Sequence, residues 1–345
     1  MFEILLSLCL AANPGACRTE RRPGGETRSA CTAAASRAAA EAAAAGRETP
    51  QSWPCVPAGQ TPRLALTEIA PGILVHNGAQ AESNAANRGG IANLGAVIGS
   101  ESVAVIDTGG SAALARDFLA AIRAVTDLPI RHAILTHMHP DHALGTSVFA
   151  AEGAEIVGHA RLSHALAARA AHYIAVNTTL IGPAFAGTEV QLPDTTVADS
   201  REIDLGGRVL LLEAHPTAHT DNDLTVLDRA TGTWFLGDLL FAGHLPVVDG
   251  SVKGWIALDT RLAARPAARV VPGHGPVMLP WPLGGAPQRA YLAALAADAR
   301  AAVAAGTPIG DASATIGRKA AEGWLLTDLF APRNALTAYT EFEWE

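Results

Sequence analysis

The chain has 345 residues, of which 49% are hydrophobic, and it carries a formal net charge of −8. It is longer than one average domain, and its apolar content is enough for a large buried core. It contains no block of Lys or Arg, and no apolar run reaches the roughly 18 residues that a membrane-spanning helix needs. The composition therefore argues against a nucleic-acid-binding protein and against a transmembrane segment.

The cysteines are confined to the first sixth of the chain, at Cys9, Cys17, Cys31 and Cys55. An even, clustered set suggests two disulfides, with three pairings left open, and an oxidising compartment. The alternative is a zinc knuckle, but the spacing lacks the C-x-x-C pair typical of one. We therefore predict a Cys-rich N-terminal segment, residues 1–60, in a periplasmic or secreted protein, with the cytoplasm as the alternative.

The first twelve residues contain a short apolar run that resembles the core of a secretion signal, but Glu3 stands where such signals carry basic residues. Cleavage after Ala12 would remove Cys9 and leave an odd number of cysteines, which favours keeping this run as structure. Three further elements are predicted in this segment: an exposed loop over 18–25, an Ala-rich helix over 33–46 that the cysteines tie down, and a linker over 57–62.

The second unit, residues 61–345, is rich in short β-strands. Strands over 91–98 and 102–107 form a hairpin, and Ser111 is a good N-cap for the helix that follows. Residues 172–200 contain several Gly and Pro and are predicted to be the least regular stretch, covering a pocket. Further strands are predicted over 132–135, 208–214, 224–228, 233–236 and 269–271, and further helices over 288–305, 311–317 and 334–342.

Three histidines and an aspartate follow strand 132–135 in the motif Thr136-His137-Met138-His139-Pro140-Asp141-His142. Imidazole nitrogens and carboxylate oxygens are ligands that zinc takes, and a catalytic site leaves one coordination position open for water. Residues two apart on a loop project the same way, so His137 and His139 can bind one metal while Asp141 and His142 turn toward a second. The spacing therefore predicts two metals.

This HxHxDH motif, with Asp107-Thr108-Gly109-Gly110 upstream, resembles the metallo-β-lactamase superfamily. The resemblance implies an α/β fold, a four-layer αββα sandwich, with the metals at the sheet edges and a small Cys-bearing helical segment added at the N-terminus. Later stretches match the remaining ligand motifs of that superfamily: Ala218-His219-Thr220, Gly237-Asp238 and Pro272-Gly273-His274-Gly275.

The resemblance also implies a role for each matching residue. His137, His139 and His219 would hold the first metal, Asp141, His142 and His274 the second, and Asp238 would bridge them. The pair would share a water or hydroxide that acts as nucleophile, with Asp141 and Asp238 as the catalytic carboxylates. Side chains with supporting or wall-forming roles would be Asp107, His215, His244, Tyr173, Ile174 and Phe185; for His244 a position facing the substrate is the alternative.

A closer resemblance, to the quinoprotein relay system zinc metallohydrolases, covers almost the whole chain. It rests on the Cys-bearing N-terminus, Gly89–Gly95, Ala214–Val226, Gly237–Pro246 and the ending Glu341–Glu345. It implies a periplasmic hydrolase with two zinc ions and a small-molecule substrate. It also implies that the enzyme accompanies a quinoprotein (PQQ) dehydrogenase or its cytochrome.

Other functions stay open. A bridging Asp, in place of Cys or Ser, favours glyoxalase II-like thioesterases and lactonases over β-lactamases. Arg318-Lys319 is the only adjacent basic pair in the last third, so a glutathione-binding cluster has little support. An iron-dependent sulfur dioxygenase often lacks one ligand of the second metal, whereas none is missing here. A non-catalytic PQQ-binding module would not need the full ligand set. Iron or manganese remains an alternative to zinc.

Overall fold

The structure, a computed structural model, describes residues 1–10, 13–46, 48–53, 55–58 and 63–345. A small sheet is formed by N-terminal residues, and two larger sheets lie in the continuous range 63–345. Within these described ranges, no helix combines the length and the apolar character that crossing a bilayer requires.

The N-terminal run forms strand β1 (Phe2–Leu10), which pairs antiparallel with the other strands of the small sheet. Alternate side chains of β1 point to opposite faces, so Ile4, Leu6 and Leu8 pack against a helix while Leu5 faces the rest of the molecule. The remaining elements are β2 (Asn13–Gly25), α1 (Arg28–Ala44), β3 (Glu48–Ser52) and β4 (Cys55–Pro57).

The prediction of an exposed loop over 18–25 is wrong, because β2 covers this range. β2 lies at the edge of the small sheet, where charged side chains are common. Arg21 there forms an ion pair with Glu3 of β1 at 2.7 Å. The charged residues of this edge strand therefore made the sequence look like a loop. The N-terminal segment was predicted to be helical, but its described residues also form four strands.

The helix α1 is held by a disulfide between Cys31 and Cys55. Its buried face consists of small residues, Ala35, Ala38 and Ala39, beside Cys31, so packing alone contributes little. This disulfide confirms that cysteines tie the helix down, and it shows that a zinc knuckle of four thiolates is wrong. The side chain of Cys17 and residues 59–62 of the predicted linker lie outside the described residues.

The first large sheet has mixed pairing in the order β11-β10-β9-β8-β7-β6-β5. Its outer face is covered by helices whose apolar residues, among them Phe118 and Phe149, form one core cluster. The elements are β5 (Thr67–Ala70), β6 (Ile73–His76), β7 (Leu94–Ile98), β8 (Val103–Ile106), α2 (Ala112–Val125), β9 (Ile130–Ile134), α3 (Pro140–Ala143), α4 (Thr146–Ala151), β10 (Glu155–His159), α5 (Leu162–Ile181) and β11 (Thr195–Val197).

The second large sheet runs β12-β13-β14-β15-β16, and helices cover its outer face around Trp255 and Tyr291. Its strands are antiparallel except for the last pair, which is parallel. The elements are β12 (Ser200–Asp204), β13 (Val209–Ala214), β14 (Leu224–Asp228), β15 (Thr233–Phe241), α6 (Val252–Ala263), β16 (Arg269–His274), α7 (Ala286–Ala304), α8 (Ile309–Ala312) and α9 (Thr327–Phe342).

The two large sheets pack face to face and bury a second apolar layer between them. Ile106 and Ile134 of the first sheet belong to the same cluster as Phe235 and Val271 of the second. Gly95 allows this approach, because a Cβ at that position would run into the ring of Phe235. With helices outside each sheet, the predicted four-layer αββα sandwich is confirmed.

Two predicted elements differ from the structure. The stretch 172–200 is not the least regular one, since α5 continues to Ile181 and a 3₁₀ turn and two strands follow. Gly182 and Pro183 end that helix instead of disrupting the whole region. The helix predicted over 311–317 is only the short α8, after which the chain continues in turns.

Replacing Cys31 and Cys55 together by Ala should lower the free energy of unfolding of the N-terminal unit by about 3 kcal/mol. The expected loss follows from the loop entropy that the cross-link, with a sequence separation of 24, removes from the unfolded chain. Urea unfolding followed by circular dichroism measures it. Ser36→Ala on the exposed side of α1 is the control and should stay within about 0.5 kcal/mol of the wild type; an equally small loss in the double variant would contradict the role of the disulfide.

Candidate metal centre

The seven predicted ligand residues meet at one edge of the sandwich, where strands of both large sheets end. They come from four separate stretches of the chain, so the fold and not local sequence alone brings them together. His137 and His139 lie in the loop after β9, Asp141 and His142 in α3, His219 in the loop between β13 and β14, Asp238 within β15, and His274 at the end of β16.

The ligand atoms form two groups, and within each group they lie within 4.8 Å of one another. The first group is His137, His139, His219 and Asp238, and the second is Asp141, His142 and His274. The first group is the three histidines predicted for the first metal together with Asp238, the predicted bridge, and the second is the set predicted for the second metal.

Asp107 sets the orientation of two of these histidines. Its carboxylate accepts hydrogen bonds from the Thr136 backbone N–H (2.8 Å), the Thr136 hydroxyl (2.8 Å) and His142 Nδ1 (2.7 Å). Because the Thr136 hydroxyl donates to Asp107, it accepts from His137 Nδ1 at 3.0 Å. The Nε2 atoms of His137 and His142 are then left without a proton in the neutral rings, and both point into the site.

The other two histidines of the first group are fixed in the same way. His139 Nε2 donates to Asp249 Oδ2 at 3.0 Å, and His219 Nδ1 donates to the Val247 carbonyl at 2.7 Å. Their inner nitrogens are 3.0 Å apart, and His139 Nδ1 is 3.1 Å from His137 Nε2. Three nitrogen lone pairs directed at one point repel one another unless a cation lies among them, so this group fits a metal ion.

The second group has the same arrangement. His274 Nδ1 donates to the Ile91 carbonyl at 3.0 Å, so its Nε2 faces inward, 3.2 Å from Asp141 Oδ2. His142 Nε2 and Asp238 Oδ1 are buried and have no hydrogen-bond partner, although they lie 3.2 Å apart. Unpaired buried polar atoms are costly, and a shared cation would satisfy both.

Asp238 presents one oxygen to each group. Oδ2 lies 3.5 Å from His137 Nε2 and 3.4 Å from His219 Nε2, whereas Oδ1 lies 3.2 Å from His142 Nε2 and 3.4 Å from His274 Nε2. A carboxylate in this position has the geometry of a bridge between two metals.

A bulge in β15 places Asp238. Gly237 has a φ of 52°, and the pairing of β15 with β16 shifts register there. A Cβ on Gly237 would lie 2.7 Å from Thr136 Cβ. Glycine adopts this left-handed conformation at no steric cost, and the bulge re-aims the next side chain into the site. The strand predicted to end at Leu236 therefore continues through the ligand to Phe241.

The charges at the site differ between the two groups. Burial lowers the pKa of His137 well below its ordinary value and that of His219 to about 3, so both are neutral ligands at neutral pH. In the second group burial is outweighed by the acidic neighbours, of which Asp238 has the largest effect. These carboxylates raise the pKa of His142 well above its ordinary value and that of His274 to about 9. The second group therefore favours positive charge, which a divalent metal supplies.

Two further histidines lie near the ligands. His215 Nε2 is 2.8 Å from the Thr225 hydroxyl and belongs to neither group. His244 donates from Nδ1 to the Leu245 carbonyl, its ring centroid is 4.5 Å from that of His274, and it lines the cavity. It thus contacts a ligand and also faces the space in which a substrate would lie.

The sequence analysis did not identify several groups that support the ligands. Thr136 directly precedes the HxHxDH motif and follows a buried strand, a place where a hydroxyl to orient the first histidine could be expected. Asp249 is more than a hundred residues from His139, and no motif indicates that they meet. The carbonyls of Ile91 and Val247 have no sequence signal.

A cavity of about 530 Å³ opens over the two groups. Residues 81–83, α5 and the start of α9 form its walls, and His139, Asp141, Asp238 and His274 lie at its floor. Of the residues predicted for the apolar wall, Tyr173 lines the cavity, whereas Phe185 is buried in the core beneath α5. The size is that of a small-molecule site.

Comparisons with known proteins agree with this geometry. Residues 87–274 match the family model of the metallo-beta-lactamase superfamily. A metallo-beta-lactamase from Pontibacter korlensis has a similar structure, with a TM-score of 0.55 and 22% identity over 67% of this chain and 99% of the other. The stereoselective inverting sec-alkylsulfatase Pisa1 from Pseudomonas sp. has a TM-score of 0.62 and 14% identity over 81% of this chain.

A linear primary-alkylsulfatase from Pseudomonas sp. is 40% identical over 52 residues, which is 15% of this chain. The chain spans only 10% of that relative and 50% of the sec-alkylsulfatase. The structural likenesses are below 25% identity and bear on the fold alone. The family match covers more than half of the chain and includes all seven ligand positions, so this protein belongs to the metallo-beta-lactamase superfamily.

Proposed function

We propose that this protein is a hydrolase that uses two zinc ions, one held by each group of ligands and both held by Asp238. The observation that carries this proposal is the arrangement of Asp238, with one carboxylate oxygen directed at each set of inward-facing imidazole nitrogens. Zinc is favoured because five imidazoles and two carboxylates match its preference for nitrogen and oxygen ligands.

When bound, a pair of divalent metals activates a water molecule as nucleophile and polarises the substrate oxygen on which negative charge develops. The residues of the chain prepare this chemistry. Asp107 fixes the tautomers of His137 and His142, and Asp249 fixes that of His139. Asp141 lies at the cavity floor beside His274, where its carboxylate can orient the nucleophile as well as bind metal.

The reaction that we propose is cleavage of an ester, thioester or lactam. The zinc-loaded protein should hydrolyse at least one member of a panel of lactones, thioesters and β-lactams, measured by product release at neutral pH. Bound iron together with dioxygen consumption would reject the hydrolase in favour of an oxygenase.

In the same panel Asp238→Ala should lower kcat/KM by orders of magnitude while circular dichroism shows a folded chain; full activity in that variant would remove the bridging role.

Alkyl sulfate hydrolysis is a second candidate function. It is favoured by the 52-residue likeness to a linear primary-alkylsulfatase and by exposed apolar residues on the cavity wall, Val176 and Leu180. Octyl sulfate below its micelle concentration, added to the panel, distinguishes this candidate. Sulfate release with no cleavage of esters or lactams would replace the first assignment by the second.

Asp107→Asn tests the positioning role of this buried carboxylate. An amide has one oxygen where the carboxylate has two, so it cannot accept all the hydrogen bonds from His142 and Thr136. The imidazoles then lose their fixed tautomer, and metal affinity should fall by about 10- to 100-fold. Competition with a chromophoric chelator measures the affinity. Asp127→Asn, at a side chain that is 72% exposed, is the control and should bind metal like the wild type; equal affinity in both variants would show that Asp107 does not orient the ligands.

We further propose that the protein works in the periplasm or outside the cell, beside a quinoprotein (PQQ) dehydrogenase or its cytochrome. The disulfide Cys31–Cys55 supports an oxidising compartment, and the stretches that resemble the quinoprotein relay hydrolases support the partner. Osmotic-shock fractionation of native cells should release the protein with Cys31 and Cys55 oxidised. Recovery in the cytosol with both thiols reduced would contradict this location.

A further inference from the structure

Two arginines, the half-buried Arg169 and the exposed Arg333, line the cavity without forming an ion pair among the described residues. Arg169 belongs to α5 and Arg333 to α9. In the described part of the chain, neither guanidinium lies within ion-pair distance of a carboxylate or donates a hydrogen bond. Elsewhere Arg208 forms a bidentate pair with Asp228, at 2.9 Å for each hydrogen bond. A guanidinium has five donors and no acceptor, so an anion is the partner that best satisfies the two in the cavity.

The hydroxyl of Tyr173 is a third donor without a partner. Among the three tyrosines, Tyr291 accepts a hydrogen bond from Asn334 and Tyr339 donates to the Thr307 carbonyl, both at 2.8 Å. No such bond is formed by the Tyr173 hydroxyl within the described ranges, although the residue is only 7% exposed and lines the cavity. This hydroxyl is not one of the buried unpaired polar atoms, so it faces the open cavity and is available to a ligand.

The two arginines line one cavity from two different helices, α5 and α9. Arg333 precedes Asn334, whose side chain accepts a hydrogen bond from the Val248 backbone N–H at 3.0 Å. Asp249, the next residue, is near enough to Arg169 for their charges to interact. The short segment that supports the first metal group is therefore close to Arg169 and is hydrogen-bonded to the residue that follows Arg333.

The remaining wall is apolar. Val176 and Leu180 follow along the same face of α5, at helical spacing from Tyr173, and Phe330 of α9 also lines the cavity. Glu82, a further lining residue, is exposed on the loop before β7 and forms no described ion pair with either arginine. The cavity thus combines an apolar surface with donors for a negative charge.

We propose that Arg169, Tyr173 and Arg333 form a subsite for an anionic group of the substrate. The preferred substrates are then esters, thioesters or lactams that have an apolar body and a negative charge separate from the scissile bond. This inference rests on the proposed hydrolase function and adds to it the class of molecule that is bound.

The test compares two esters of equal chain length, 4-nitrophenyl hexanoate and the mono-4-nitrophenyl ester of adipate, on the zinc-loaded protein. The measured quantity is the ratio of kcat/KM for the anionic ester to that for the neutral ester. We expect Arg169→Gln and Arg333→Gln each to lower this ratio by roughly tenfold, since each removes charge-assisted hydrogen bonds. Tyr173→Phe should lower it less, and Arg333→Lys should retain part of the preference.

Arg229→Gln is the matched control, because this arginine is exposed and pairs with Glu202 outside the cavity. It should keep the wild-type ratio. A ratio that is unchanged in both cavity variants would overturn the subsite. If the wild type hydrolyses neither ester nor any member of the panel, the hydrolase proposal fails separately. Calorimetric binding of monomethyl adipate then decides the inference: weaker binding in both cavity variants supports the subsite, and equal or absent binding rejects it.

Discussion

The outward hydrogen bonds of the histidines determine what this site can hold. One nitrogen of each ring donates a hydrogen bond to a group that can only accept one in this arrangement. These acceptors include the Asp107 carboxylate and the carbonyls of Ile91 and Val247. The proton is thereby fixed on the outer side of the ring, and the inner nitrogen presents a lone pair. Five such lone pairs with Asp238 between them form a site for cations, and the cost of burying them is offset only when positive charge is present.

The sandwich fold supplies the rigidity that this arrangement needs. Strands β15 and β16 are buried on both faces, and β9 is buried at the end that leads into the ligand loop. The loops at their ends are therefore held by the cores on either side of each sheet. The cavity walls come from α5 and α9, which lie outside the sheets. Ligand positions are therefore set by the central sheets, whereas the surface that contacts a substrate is set by helices that can vary without disturbing them.

The ligand residues were predictable from sequence because each lies in a short motif directly after an apolar strand. The residues that orient these ligands were harder to predict from the sequence. Asp107 could be inferred from its motif, but Asp249 meets His139 only through the fold. The strand β2 was missed because an edge strand with charges resembles a loop, and α5 was underestimated because the Gly and Pro residues that follow it suggested irregularity. Arg169 and Arg333 carry no motif, and only the cavity brings them together.

Anomalous diffraction at the zinc absorption edge, from crystals of protein purified without added metal, tests the central claim most directly. The account predicts two peaks, roughly 3.5–4 Å apart. One should be within bonding distance of His137, His139 and His219, the other of Asp141, His142 and His274, with an Asp238 oxygen on each. A single peak, a peak away from these side chains, or an inner imidazole nitrogen turned outward to donate a hydrogen bond would contradict it.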